Sequence, residues 1–151
     1  VKITSQEPRF WFNKINVPDF TDFYESVEVR SLNSPETTNY GVIFRFQQKN
    51  FYYFYLNAPA KKYGVDLRSG NAWEKIIFGK DSNQIDPAGP NQLAVLAYGP
   101  EFTLFLNGVE VDSFYDETLK AGTAGIGCNL FKAWEYMALA FDNFLVKAPR
   151  N

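Results

Sequence analysis

The sequence contains no histidine, a single cysteine, and no apolar run long enough to cross a bilayer. Without histidine the chain has no His-containing triad, no imidazole general base and no imidazole metal ligand of its own. With Cys128 alone, no disulfide forms within the chain, and cysteine usage leaves the compartment open. A spanning helix needs about 20 predominantly apolar residues. The densest stretch here, Phe51 to Leu56, is only as long as a strand. Basic residues are scattered among acidic ones, and the formal net charge is -2. No basic stripe exists, so no nucleic-acid partner is expected. Amphipathic helices are missing too, and only Asp116 to Lys120 has the look of one short turn. The chain opens at Val1 with no leader-like segment, as a processed form or a piece of a longer protein would.

What is present is aromatic and alternating. Phe, Tyr and Trp make up 18% of the 151 residues, and such side chains favour pleated, half-buried surfaces. Short alternating runs separated by turn residues predict an antiparallel sandwich. Strands are expected at Arg9 to Lys14 and Asp22 to Ser31. A hairpin is expected from Tyr40 to Phe46 and Phe51 to Asn57, across Gln47-Gln48-Lys49-Asn50. A second joins Tyr63–Arg68 to Ala72–Phe78 across Ser69-Gly70-Asn71. A third joins Asn91–Tyr98 to Phe102–Leu106 across Gly99-Pro100-Glu101. Asn107-Gly108 between Leu104-Phe105-Leu106 and Val109-Glu110-Val111 is the sharpest signal, because both residues tolerate the positive φ of a type I′ turn. Strands at Ala124–Phe131 and Tyr136–Lys147 follow, and Asp81 to Pro90 reads as a loop. The expectation is one domain over 1–151, with Val1–Pro8 and Ala148–Asn151 as connectors.

Four pieces carry a family resemblance: YGVIFRFQQKNFYYFYL (40–56), NQLAVLAYGPEFTLFLNGVEV (91–111), AGTAGIG (121–127) and LAFDNFLV (139–146). In this order they resemble bacterial concanavalin A-like, laminin G-like domains and are similar to the 3-keto-disaccharide hydrolase-like family. The resemblance spans roughly residues 8 to 147. It implies two stacked antiparallel sheets in a jelly roll, with a ligand held on the concave sheet or its edge loops. It also implies an exported, extracytoplasmic bacterial protein. The fold alone hosts lectins, glycosidases and spacers, so function rests on the site.

Glycosidases need two carboxyls within about 5.5 Å or about 10 Å of each other. Glu25 and Glu28 are three residues apart and alternate to opposite faces. Asp112 and Asp116 straddle a strand end, and Glu135 lies several residues from Asp142. The expectation is therefore a non-catalytic module with a glycan or protein partner. The rivals are an accessory subunit of an envelope complex without a small ligand, and a carbohydrate-active hydrolase.

The candidate ligand residues are Tyr53, Tyr55, Trp73, Trp134 and Arg45. With Phe46 set opposite Phe51, Val42, Phe44, Tyr53 and Tyr55 share one face of the first hairpin. Ile43, Arg45, Tyr52, Phe54 and Leu56 share the other. Both faces are apolar, so one is core and the other is either a stacking platform or a second covered layer. Arg45 is read as a ligand contact or as half of an ion pair with Asp142 or Glu28, since a buried guanidinium needs a partner. Trp73, Trp134 and Trp11 are hot-spot candidates or end covers. No cofactor is expected. In sandwich carbohydrate-binding modules a late-strand Asp joins an early Glu around a structural Ca²⁺, which makes Glu7 and Asp142 the pair to test. Cys128 reads as a small core residue, and Gly122, Gly125 and Gly127 as strand glycines.

Overall fold

The computed structural model describes residues 1–149. Its strands are β1 (Lys2–Thr4), β2 (Arg9–Lys14), β3 (Phe23–Asn33), β4 (Asn39–Gln47), β5 (Asn50–Asn57) and β6 (Lys62–Ser69). They continue with β7 (Ala72–Asp81), β8 (Asn91–Tyr98), β9 (Glu101–Leu106), β10 (Val109–Tyr115), β11 (Thr123–Leu130) and β12 (Tyr136–Lys147). Two six-stranded antiparallel sheets result, in the orders β1-β12-β3-β8-β9-β10 and β2-β11-β4-β5-β6-β7. No helix occurs among the described residues, and Asp116–Lys120 forms none. This is the expected all-β jelly-roll sandwich.

The amino-terminal segment is not a plain connector. Its Ile3 sits opposite Met137 and closes one end of the core, so β1 is the edge strand of the first sheet. Ala148 and Pro149 continue past β12 without regular structure, and the rest of that expected connector lies outside the described residues.

Alternation decides which side chains meet between the sheets. From β3 come Phe23, Val27 and Val29, and from β8 and β9 come Leu93, Val95, Phe102 and Leu104. They face Val42, Phe44, Tyr52, Phe54 and Leu56 of β4 and β5. Each fully buried apolar side chain of this size contributes about 1.5–3 kcal/mol. Phe44, Tyr52 and Phe102 lie 5.1–5.4 Å apart by ring centroids, within the range of favourable aromatic pairing. Cys128 is buried opposite Tyr40, and burial lifts its thiol pKa to about 12. It behaves as the small core residue the sequence implied.

Glu25 breaks the pattern. It shares the inner face with Phe23 and Val27, is fully buried, and neither carboxyl oxygen has a hydrogen-bond partner. Glu28 points the other way, as alternation required.

Two hairpins turn more tightly than expected. Ser69 pairs with Ala72 and Tyr98 with Glu101, leaving two-residue turns at Gly70-Asn71 and Gly99-Pro100. Leu106 pairs with Val109 around Asn107 (φ 51) and Gly108 (φ 82), the expected type I′ geometry. The first hairpin departs further. Its turn is Gln48-Lys49, both at positive φ, with Gln47 opposite Asn50. A bulge lies between Phe44 and Gln47, where Arg45 takes φ 50. Ile43 therefore faces Tyr53, and Phe44 faces Tyr52. Tyr53 and Tyr55 share a face with Ile43, Phe46 and Phe51, not with Val42 and Phe44. At the turn the register is the expected one, and the bulge alone shifts it by one residue beyond Gln47.

Candidate functional site

The second sheet carries its own aromatic layer on the face turned away from the core. Ile43, Phe46, Phe51, Tyr53 and Tyr55 form it, with Phe10 packed against them. Two glycines make room. A Cβ on Gly64 would lie 2.5 Å from the Tyr55 hydroxyl, and one on Gly127 would lie 2.7 Å from the Phe10 ring. The Tyr55 hydroxyl end thus lies against β6 and the Phe10 ring against β11. Phe10 belongs to one edge strand and Trp73 to the other, with four strands between them. At about 4.8 Å per strand, a flat sheet would hold them some 24 Å apart. Their rings are 5.2 Å apart. The sheet therefore curls, with this face on the inside of the curve.

That concave face is filled by its own side chains. Phe10 meets Tyr53 edge-on at 4.8 Å and Phe51 at 5.3 Å, and Trp73 closes on Phe51 at 5.7 Å. Tyr53 is consequently 0% exposed, while Trp73 stays 40% exposed and Phe12 39%. Only the rim of the layer is open to a ligand. The Arg68 guanidinium sits 5.0 Å over the Trp73 ring and extends that rim.

A polar row runs beside the rings. The Tyr53 hydroxyl donates to Asn39 Oδ1 at 2.7 Å. On β6, Asp66 faces outward opposite Tyr53 and Lys75. Its Oδ1 is buried without a hydrogen bond, with Lys75 Nζ at 3.8 Å as the nearest cation. Burial raises the Asp66 pKa, and Lys75 and the Tyr55 hydroxyl act against that shift. Burial likewise raises both tyrosines. A carboxylate with an unused lone pair beside a half-exposed ring is the arrangement that accepts a hydroxyl from a stacked ligand.

The fold brings Tyr53, Tyr55 and Trp73 together, with Tyr53–Trp73 at 6.5 Å. It does not bring Trp134 to them through any aromatic contact. Trp134 is exposed in the β11–β12 connection, where its amide donates to the Ser5 carbonyl at 2.7 Å. Trp11 points inward and packs against the main core.

Arg45 makes no ion pair with Asp142 or Glu28, contrary to expectation. The bulge turns it to one end of the sandwich, where it donates to the carbonyls of Leu119, Thr21 and Gly99 at 2.6–3.0 Å. The Phe102 ring lies 4.7 Å away. Asp142 instead accepts the Asn143 amide, and Asn143 donates to Glu28. Glu7 and Asp142 are both exposed, and among the described residues no three acidic or cysteine side chains are grouped to hold a metal.

Sequence reasoning does not single out Phe10 or Asp66. Their signals are an aspartate inside the strand KYGVDLRS, and glycines inside strands β6 and β11, where another group must approach closely.

These features define a concanavalin A-like jelly roll with an aromatic, carboxylate-bearing concave sheet. Residues 4–141 match the 3-keto-alpha-glucoside-1,2-lyase-like domain family, and the chain belongs to it. No curated protein matches the chain. Among solved structures, the carbohydrate binding module CBM66 from Bacillus subtilis is similar at TM-score 0.76 and 17% identity, over 97% of this chain and 86% of that one. A tetrameric galectin from the sponge Cinachyrella sp. is similar at TM-score 0.62 and 9% identity, over 93% and 99%. A galectin-like protein of unknown function from Bacillus subtilis reaches TM-score 0.63 at 10% identity, over 97% and 80%. No helix among the described residues is long and apolar enough to cross a membrane.

Proposed function

We propose that this chain is a non-catalytic carbohydrate-binding module of an exported bacterial protein, working outside the cytoplasm. The glycan sits on the rim of the concave sheet. One sugar face stacks on Trp73, and hydroxyls reach Asp66 and Lys75. The observation that carries the reading is Asp66 Oδ1, buried and unbonded beside a 40% exposed indole. The names of the similar structures, a carbohydrate binding module and a galectin, support it. Tyr53 and Tyr55 serve as the layer beneath the rim rather than as contacts.

A glycan array tests this. Wild type should retain a defined set of glycans, and Trp73→Ala and Asp66→Asn should lose them with the β-rich circular dichroism spectrum unchanged. Binding untouched by either substitution would remove the rim from the account.

One observation favours a second reading, catalysis by elimination. The family is named for a 3-keto-alpha-glucoside-1,2-lyase, and a carboxyl whose pKa is raised by burial suits proton abstraction next to a ketone. Consumption of a 3-keto-α-glucoside by wild type, abolished in Asp66→Asn, would select the enzyme; no turnover would leave the binding module.

A further inference from the structure

One end of the sandwich holds a cavity of about 320 Å³, at the small end of the range for ligand pockets. Arg45 forms part of its wall, with Pro100 and Leu119 as the apolar surface and Lys120 at the exposed edge. Two carboxylates, Asp116 and Glu117, also line it.

Their engagements differ by sign of charge. Asp116 accepts the Tyr52 hydroxyl and the Thr118 amide. Glu117 accepts the Tyr115 hydroxyl. Both acids are thus bound by neutral donors of the protein itself. The cations have no such counterpart. Among the described residues neither Arg45 nor Lys120 lies within 4.0 Å of a carboxylate oxygen. Arg45 is 1% exposed, and its Nε–H is buried without an acceptor. Its remaining bonds go to carbonyl dipoles, which orient a guanidinium but do not neutralise it. Asp22, beside Thr21, accepts the Gly99 amide and acts on the guanidinium by charge only from beyond ion-pair distance.

We propose that this cavity binds a monosaccharide-sized carboxylate of the hexuronate class. The carboxylate lies between Lys120 and the Arg45 guanidinium, and the ring hydroxyls face Asp116 and Glu117. The site is independent of the concave rim: it shares no residue with it and does not rest on the function proposed above.

The test is a titration of the ¹⁵N-labelled chain with D-glucuronate, with D-glucose and with inorganic phosphate, read by amide chemical shifts. Glucuronate at millimolar concentration should move Gly99, Glu117 and Lys120. Glucose and phosphate should leave them in place. Lys120→Gln, a change at an exposed side chain, should weaken glucuronate about fivefold, the size of one exposed ion pair, and added salt should weaken wild type in the same direction. Arg45→Met risks the fold, so the Lys120 variant carries the test. The proposal fails if glucuronate moves nothing at these amides. It also fails if glucose or phosphate moves them equally, or if Lys120→Gln binds as wild type does.

Discussion

Replacing Glu25 by glutamine should flatten the stability of this protein against pH. The carboxyl is fully buried between Phe23 and Val27 with neither oxygen in a well-formed hydrogen bond, and burial holds its pKa well above the ordinary glutamate value against the opposing pull of the nearby Gly125 amide. The folded chain therefore keeps this proton at pH values where the unfolded chain, with a pKa of about 4.3, has released it. Folding binds a proton across that window. The stabilisation is complete below the unfolded value and is lost as pH rises toward the folded one, at up to about 1.4 kcal/mol per pH unit. Asp66, also raised by burial, adds a slope of the same sign that the substitution leaves intact. Urea unfolding of wild type and Glu25→Gln from pH 5 to pH 8 should give curves that diverge, the variant gaining relative to wild type with each step upward. Glu25→Leu should go further and stabilise the neutral-pH protein by about 1–3 kcal/mol, because it removes two unsatisfied buried oxygens. Parallel pH profiles for wild type and Glu25→Gln would refute the reasoning.

Three further outcomes are expected. Arg45→Met should destabilise by about 2–3 kcal/mol, since it takes the donor from the buried Leu119 carbonyl and from the part-buried carbonyls of Thr21 and Gly99; thermal unfolding measures it. Gly127→Ala should cost about 1–3 kcal/mol, because the new methyl would lie 2.7 Å from the Phe10 ring and force it off β11; Phe10→Leu in the same chain should recover part of the loss. Cys128 should resist a thiol reagent in the folded protein and react fully in denaturant, because it is buried and its pKa stands at about 12.

Much of the fold was legible because period-two alternation and turn chemistry are local. Asn107-Gly108 placed its hairpin at the right residues, and the FYYFYL run announced a strand covered on both faces. The misreadings arose where a single inserted residue changes everything after it. The bulge at Arg45 is invisible in composition, yet it puts Ile43 in place of Val42 and Phe44 on the face of Tyr53 and Tyr55, and it sends the guanidinium to the sandwich end. The ion pair with Asp142 failed for the same reason: the partner was a set of backbone carbonyls, and sequence does not advertise carbonyls. Trp73 was found as an exposed indole, but its neighbour Phe10 was not. Only the curl of the sheet brings these side chains of the two edge strands into contact. Asp66 is hidden from the sequence because an outward aspartate in a strand is ordinarily solvated, and only the folded chain sets Tyr55 and Lys75 against it.

The most direct measurement is amide-shift mapping with a glycan that the array identifies. The account predicts that the largest changes fall on Trp73, Asp66, Lys75 and Arg68, at the rim of the second sheet. Changes confined to the first sheet, on residues such as Leu96 and Tyr98, would contradict it.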